Sequence, residues 1–130
     1  MIDDIYRENI MDHYNDPRNK GKLLDADIIH KESNPFCGDE IEMSLKFSDG
    51  KIINVMFNGQ GCAISQATAS MLTEHIEDKG VSEVKHISAN DIVKLISIPL
   101  SPVRLKCALL SLDTIKNAIT IHEGYGKNAN

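Results

Sequence analysis

The sequence contains no apolar run approaching the ~18 residues that a membrane-spanning helix needs, so a membrane protein is not expected. It also lacks a basic-then-apolar leader, because Asp3 and Asp4 stand where a secretory signal would be positive. Both absences point to a cytoplasmic protein. Basic residues are outnumbered: 14 Lys and Arg against 19 Asp and Glu give a formal charge of −5. No basic stripe interrupts that balance, so nucleic acid is not an expected partner. Cysteine is scarce as well. Cys37, Cys62 and Cys107 are odd in number and widely spaced, which argues against a disulfide framework and leaves free thiols as the starting assumption.

What is present is the material of one ordinary domain. A chain of 130 residues fits the ~100–200 residues of a single folding unit. Its 42% hydrophobic content sets it apart from collagen-like and disordered chains. The domain is expected to span residues 1–125, with Gly126-Lys127-Asn128-Ala129-Asn130 as a flexible tail.

Ile2, Ile5, Tyr6, Ile10 and Tyr14 recur at helical spacing and predict a helix over 3–15, with Tyr6 and Tyr14 as core or partner contacts; turn residues from Asn15 to Gly21 end it. Glu40 to Phe47 alternates strictly between polar and apolar residues, the pattern of a half-buried strand. Asp49-Gly50 then supplies a hairpin turn, and Lys51 to Phe57 returns. Asp25 to Lys31 is a weaker strand, joined to the next by the loop Ser33 to Asp39. Three antiparallel strands result.

Beyond them, Ile64, Ala67, Met71, Leu72 and Ile76 mark a helix that Gly80 should stop, and its small residues suit close approach to another element. A short helix over 89–98 follows. The stripe Leu105, Ala108, Leu109, Leu112, Ile115 and Ile119 predicts a long last helix ending near Gly124. The class is α+β: a three-stranded antiparallel sheet packed against helices.

Strand order brings distant residues together. With the strands running up, down and up, the loop holding Cys37 and Asp39 and the exit at Gly59-Gln60-Gly61-Cys62 fall at one end of the sheet. Gly38 and Gly61 leave the backbone free to turn tightly beside the two thiols. At about 100° per residue, Cys107 lies roughly 140° from Leu112, the middle of its helix's apolar stripe, so it is not expected on the core face. Cys62 and Cys107 both sit near helix starts, where exposed N–H groups stabilise a thiolate, and Arg104 and Lys106 add positive charge. Both thiols are expected to be reactive. Three thiolates with one carboxylate suit tetrahedral zinc or iron, since soft sulfur disfavours magnesium and calcium. Against this stands a plain alternative, three unrelated packing cysteines. His13, His30, His75, His86 and His122 lack ligand spacing and are expected as surface or satisfied packing residues.

Three stretches carry a resemblance: Asn34-Pro35-Phe36-Cys37-Gly38-Asp39, Gly59-Gln60-Gly61-Cys62-Ala63-Ile64-Ser65, and Pro102-Val103-Arg104-Leu105-Lys106-Cys107-Ala108. In this order they resemble the three cysteine motifs of the IscU/SufU/NifU N-terminal family of iron–sulfur cluster assembly proteins. The opening Tyr6 to Gly21 is similar to that of the SufU branch. The resemblance implies an IscU-like (SufE/NifU-like) fold, with Cys37, Cys62, Cys107 and Asp39 as ligands of a transient [2Fe–2S] cluster, of iron, or of Zn2+. It implies Cys62 and Cys107 as persulfide acceptors, Asp39 as the residue that controls cluster release, and a scaffold rather than an enzyme. The implied partners are a cysteine desulfurase and apo iron–sulfur acceptor proteins, with a homodimer around a shared cluster as a further candidate. Lys106 stands where the IscU branch has His, as in the SufU branch, yet the insertion that SufU proteins carry between the second and third cysteines is missing. Leu100-Ser101-Pro102-Val103-Arg104 approximates the IscU motif for an Hsp70-type chaperone. The implied activity is therefore a cluster scaffold, with a zinc-dependent sulfurtransferase as the alternative.

Overall fold

The computed structural model describes residues 2–35 and 38–128, with side-chain surroundings for residues 7–35 and 38–124. Cys37 lies outside the described residues. Helix α1 (Ile2–Asn15) precedes strands β1 (Ile28–Asn34), β2 (Asp39–Ser48) and β3 (Lys51–Gln60). Helices α2 (Ala63–Ile76), α3 (Val81–Lys85), α4 (Ala89–Ile96) and α5 (Pro102–Asn128) follow. The strands form one antiparallel sheet in the order β1-β2-β3, the α+β arrangement that the alternating pattern predicts. Asp49 and Gly50 take φ of 52° and 75°, the pair of positive values that a two-residue hairpin matching strand twist requires. Ile41, Met43 and Leu45 of β2 and Val55 and Phe57 of β3 point inward and are buried. No helix among the described residues is long and apolar enough to cross a membrane.

Several boundaries differ from the pattern reading, each for a tertiary reason. β1 begins at Ile28 rather than Asp25, because the Asp27 carboxylate accepts the Phe47 N–H at 2.8 Å and ends the ladder there. It continues to Asn34, which pairs with Asp39. α2 stops at Ile76, short of Gly80, because Asp78 N–H donates to Ile52 O and Ile52 N–H to Lys79 O, tying the chain to the hairpin. Gly80 instead caps the one-turn helix α3, whose Val84 is fully buried. α5 runs on to Asn128, so 126–128, expected as tail, continue the helix backbone.

Two helices are buried over more of their circumference than their apolar stripes suggest. α2 packs against α1, β3 and α5, and buries Ser65 to Thr73 without a break. Small Ala67, Ala69 and Ser70 allow that close approach. α5 packs against α2 and the sheet together, so its buried surface includes Cys107, Ser111, Thr114 and Ala118 as well as the predicted Ala108, Leu112, Ile115 and Ile119. The expectation that Cys107 lies off the core is thus corrected: it is only 4% exposed. Of the two tyrosines expected as core or partner contacts, Tyr14 stands 42% exposed on α1 and is not part of the core, and the side chain of Tyr6 lies outside the described residues.

Candidate metal centre

The site is built where β2 starts and α2 begins. Asp39, the first residue of β2, is fully buried. One of its oxygens, Oδ1, accepts the Cys62 N–H at 2.9 Å, and the other, Oδ2, lies 3.8 Å from Cys62 Sγ. Cys62 is the N-cap of α2, and its sulfur accepts the Ser65 N–H at 3.5 Å. This places the sulfur where a capping oxygen usually sits, satisfying one of the donors that a helix start leaves open. The Ser65 hydroxyl in turn donates to Cys62 O at 3.1 Å.

Gly61 makes the approach possible. Its φ is +155°, and a Cβ there would meet Asp39 Oδ1 at 2.2 Å and Ser65 Oγ at 2.7 Å. Gly59, with φ +147°, would drive a Cβ into Glu40 O at 2.0 Å, so the strand exit depends on two glycines.

From α5, Cys107 completes the group. One donor atom each from Asp39, Cys62 and Cys107 lies within 4.8 Å of the other two. Metal–sulfur bonds of about 2.3 Å in a tetrahedron separate donors by roughly 3.5–4 Å, so a small contraction would close this set on zinc or iron. Two sulfurs and a carboxylate are the donor chemistry of those metals rather than of magnesium or calcium. Cys37, two positions before Asp39 in sequence, lies outside the described residues. Cys107 stands beyond the first turn of α5, since the helix starts at Pro102. The contribution expected from its helix start therefore fades, because such effects are confined to the first turn.

The two thiols differ in access. Cys62 is exposed and Cys107 buried, and both face a cleft of about 630 Å³ walled by Ile10 and Met11 of α1, Ile64, and Ile98 and Val103 ahead of and within α5. Arg7 and Arg104 also line it. The pattern reading missed this wall, although Met11 and Val103, at 45% and 61% exposed, are unpaired apolar residues near the second and third motifs in space. The histidines do not join the metal group among the described residues. His13 packs between α1 and α2 with Nδ1 2.8 Å from Ser70 Oγ, His30 pairs with Glu32, and His122 stacks on Phe47.

The family model for the NifU-like N-terminal domain matches residues 5–129. The chain belongs to this family. Among NifU-like N-terminal domains, it is 35% identical to the zinc-dependent sulfurtransferase SufU of Bacillus subtilis over 95% of both chains. It is 34% identical to the iron–sulfur cluster assembly scaffold protein IscU of Thermotoga maritima, over 88% of this chain and 92% of that one. A solved structure from Fervidobacterium islandicum, a proposed assembly scaffold of the SUF system, superposes with a TM-score of 0.77 at 30% identity, covering 85% of this chain and 93% of its own. The N-terminal domain of a NifU-like protein from Brucella abortus shares the fold at TM-score 0.77 and 22% identity. Both branches named in the resemblance, SufU and IscU, are represented among these relatives.

Proposed function

We propose that this domain is an iron–sulfur cluster assembly scaffold that takes sulfane sulfur from a cysteine desulfurase, holds iron and sulfide as a [2Fe–2S] cargo, and passes the cargo to apo acceptor proteins. The observation that carries the reading is the gathering of Asp39, Cys62 and Cys107 donors within 4.8 Å of one another at the side of an open cleft. Cys37 is assigned as the remaining thiolate ligand on its place in the sequence, two positions before Asp39. Buried packing cysteines would need neither the carboxylate nor the opening.

In the sulfur step, the exposed Cys62 thiolate attacks the terminal sulfur of the donor's persulfide. A new sulfur–sulfur bond forms on Cys62, the donor's bond breaks, and the donor leaves as a thiolate, following the logic of thiol–disulfide exchange. No net oxidation occurs. Turning each sulfane sulfur into sulfide takes two electrons from an external reductant. The Ser65 N–H holds the Cys62 sulfur in place, and the Cys62 N–H holds the Asp39 carboxylate beside it. Asp39 serves as an oxygen ligand that an acceptor's thiol can displace, because oxygen binds these soft-leaning metals less firmly than sulfur.

A second reading, a zinc-dependent sulfur relay, is supported by the 35% identity to a protein of that activity over 95% of both chains. Bound zinc would keep the thiols deprotonated until the donor arrives. Metal and acid-labile sulfide counts on protein purified under nitrogen separate the two. A visible cluster with about two irons and two sulfides supports the scaffold; one zinc per chain, no sulfide and stimulation of a desulfurase support the relay. Neither metal nor sulfane sulfur on the cysteines would refute both.

A further inference from the structure

Among the described residues, three buried side-chain polar atoms have no hydrogen-bond partner: Arg18 Nη1, Gln66 Oε1 and Ser111 Oγ. Two of these belong to the helices that carry the cysteines. Gln66 stands four positions after Cys62, and Ser111 four positions after Cys107. Residues four apart share a helix face, and side chains lean toward the helix N-terminus, so each of these groups leans over the turn of its own cysteine. Their chemistry differs, however: Gln66 Oε1 only accepts, whereas the Ser111 hydroxyl has a proton to donate.

Ser111 is 1% exposed, with buried Leu110, Leu112 and Ile115 close to it in the helix. A helical hydroxyl ordinarily satisfies itself on the carbonyl four residues back. Thr68 does so with Ile64 O at 2.6 Å, Thr114 with Leu110 O at 2.7 Å, and Thr120 with Lys116 O at 3.0 Å. Ser111 does not. Its proton is kept from the usual acceptor in a place that water does not reach, which costs free energy until another acceptor arrives.

We propose that the Ser111 hydroxyl is the hydrogen-bond donor for the terminal sulfur of a persulfide on Cys107. The inference rests on the sulfur-acceptor reading above. Cys62 is exposed and Cys107 is 4% exposed, so sulfur enters at Cys62 and is sheltered on Cys107. The Cys107 thiolate attacks the terminal sulfur of the protonated Cys62 persulfide; the Cys107 sulfur–sulfur bond forms as the Cys62 bond breaks, and Cys62 leaves as a thiolate. Electrons balance without an oxidant or reductant. Added sulfur extends the Cys107 side chain by a bond of about 2.05 Å. The added sulfur lies in a group that already holds the buried Asp39 carboxylate, which accepts and cannot donate, so a neutral donor from the helix is needed there.

The test treats metal-free full-length protein with inorganic polysulfide, traps persulfides by alkylation, and maps them by peptide mass spectrometry in the wild type and in Ser111→Ala. Wild-type protein should carry sulfane sulfur mainly on Cys107. S111A should lower the Cys107-to-Cys62 ratio at least fivefold while its urea midpoint stays equal or rises, since a buried orphan hydroxyl has been removed. An unchanged ratio, a wild type modified at Cys62 alone, or a sharply lowered midpoint in S111A would each overturn the role of Ser111 and leave the sulfur-acceptor reading intact. Wild type with no sulfane sulfur on any cysteine would overturn that reading as well.

Discussion

The Cys62 N–H and the Cys62 sulfur both meet the same carboxylate: Asp39 Oδ1 accepts the N–H at 2.9 Å and Oδ2 lies 3.8 Å from Sγ. Asp39 is therefore a structural anchor of the α2 start as well as a candidate ligand, and the two roles can be separated by substitution.

Asp39→Asn keeps an amide oxygen for the Cys62 N–H and removes the charge, whereas Asp39→Ala removes both. Loss of a buried hydrogen bond that strands an N–H costs about 1–3 kcal/mol. D39A should show that loss in urea unfolding, and D39N much less. Both should lengthen the lifetime of a reconstituted cluster, read from its visible absorbance during challenge with an apo acceptor. Faster loss in D39N would show that Asp39 retains the cargo instead of releasing it.

Gly61→Ala places a Cβ 2.2 Å from Asp39 Oδ1 at a φ of +155°. Backbone strain of this kind costs on the order of 1–3 kcal/mol, and the displaced carboxylate leaves the donor group. Zinc content of G61A after dialysis should fall well below that of the wild type. A variant that binds zinc fully would show that Asp39 is dispensable as a ligand.

His13 gives stability a pH dependence. Burial lowers its pKa below 6.5, with the Arg18 charge adding to the effect and Glu74 and Asp12 opposing it. Ser70 Oγ accepts the Arg18 N–H at 2.8 Å and lies 2.8 Å from His13 Nδ1, so the buried ring has a polar partner. With the folded pKa below the unfolded value, the unfolded chain binds more protons at mildly acidic pH. The contribution is fully present above pH 6.5 and is lost as pH falls through the window beneath it. Urea midpoints at pH 7.5 and 5.5 should differ less in His13→Gln than in the wild type; equal slopes would remove His13 as the cause.

On the outer side of α5, burial and the nearby Glu32 carboxylate raise the pKa of Asp113, with Lys116 opposing. Its ionised form is disfavoured by the fold at neutral pH, so Asp113→Asn should raise the thermal midpoint at pH 7. The gain should vanish as pH drops below the raised pKa, where Asp113 is already neutral. A lower midpoint at pH 7 would mean that the charge is stabilising.

Much of the sheet and of the metal group was legible in the residues. Strict alternation in β2 fixes which side chains face inward, and Asp49-Gly50 fixes the hairpin, so Asp39 and Cys62 had to meet at one end. The glycine before Cys62 was readable too, because a close backbone approach leaves no room for a Cβ. Boundaries near Asp27, Glu77 and Gly80 were not, since hydrogen bonds from distant strands set them.

Local pattern alone therefore determined the strand order, the turn and the convergence of two motifs, all of which depend on short-range periodicity and chain direction. Only packing decided the environment of Cys107 and Ser111. α5 is pressed between α2 and the sheet, so its buried surface is wider than a single apolar stripe, and a helical wheel cannot say how many neighbours a helix will have. That is the physical reason one thiol stands open to the cleft and the other is sheltered.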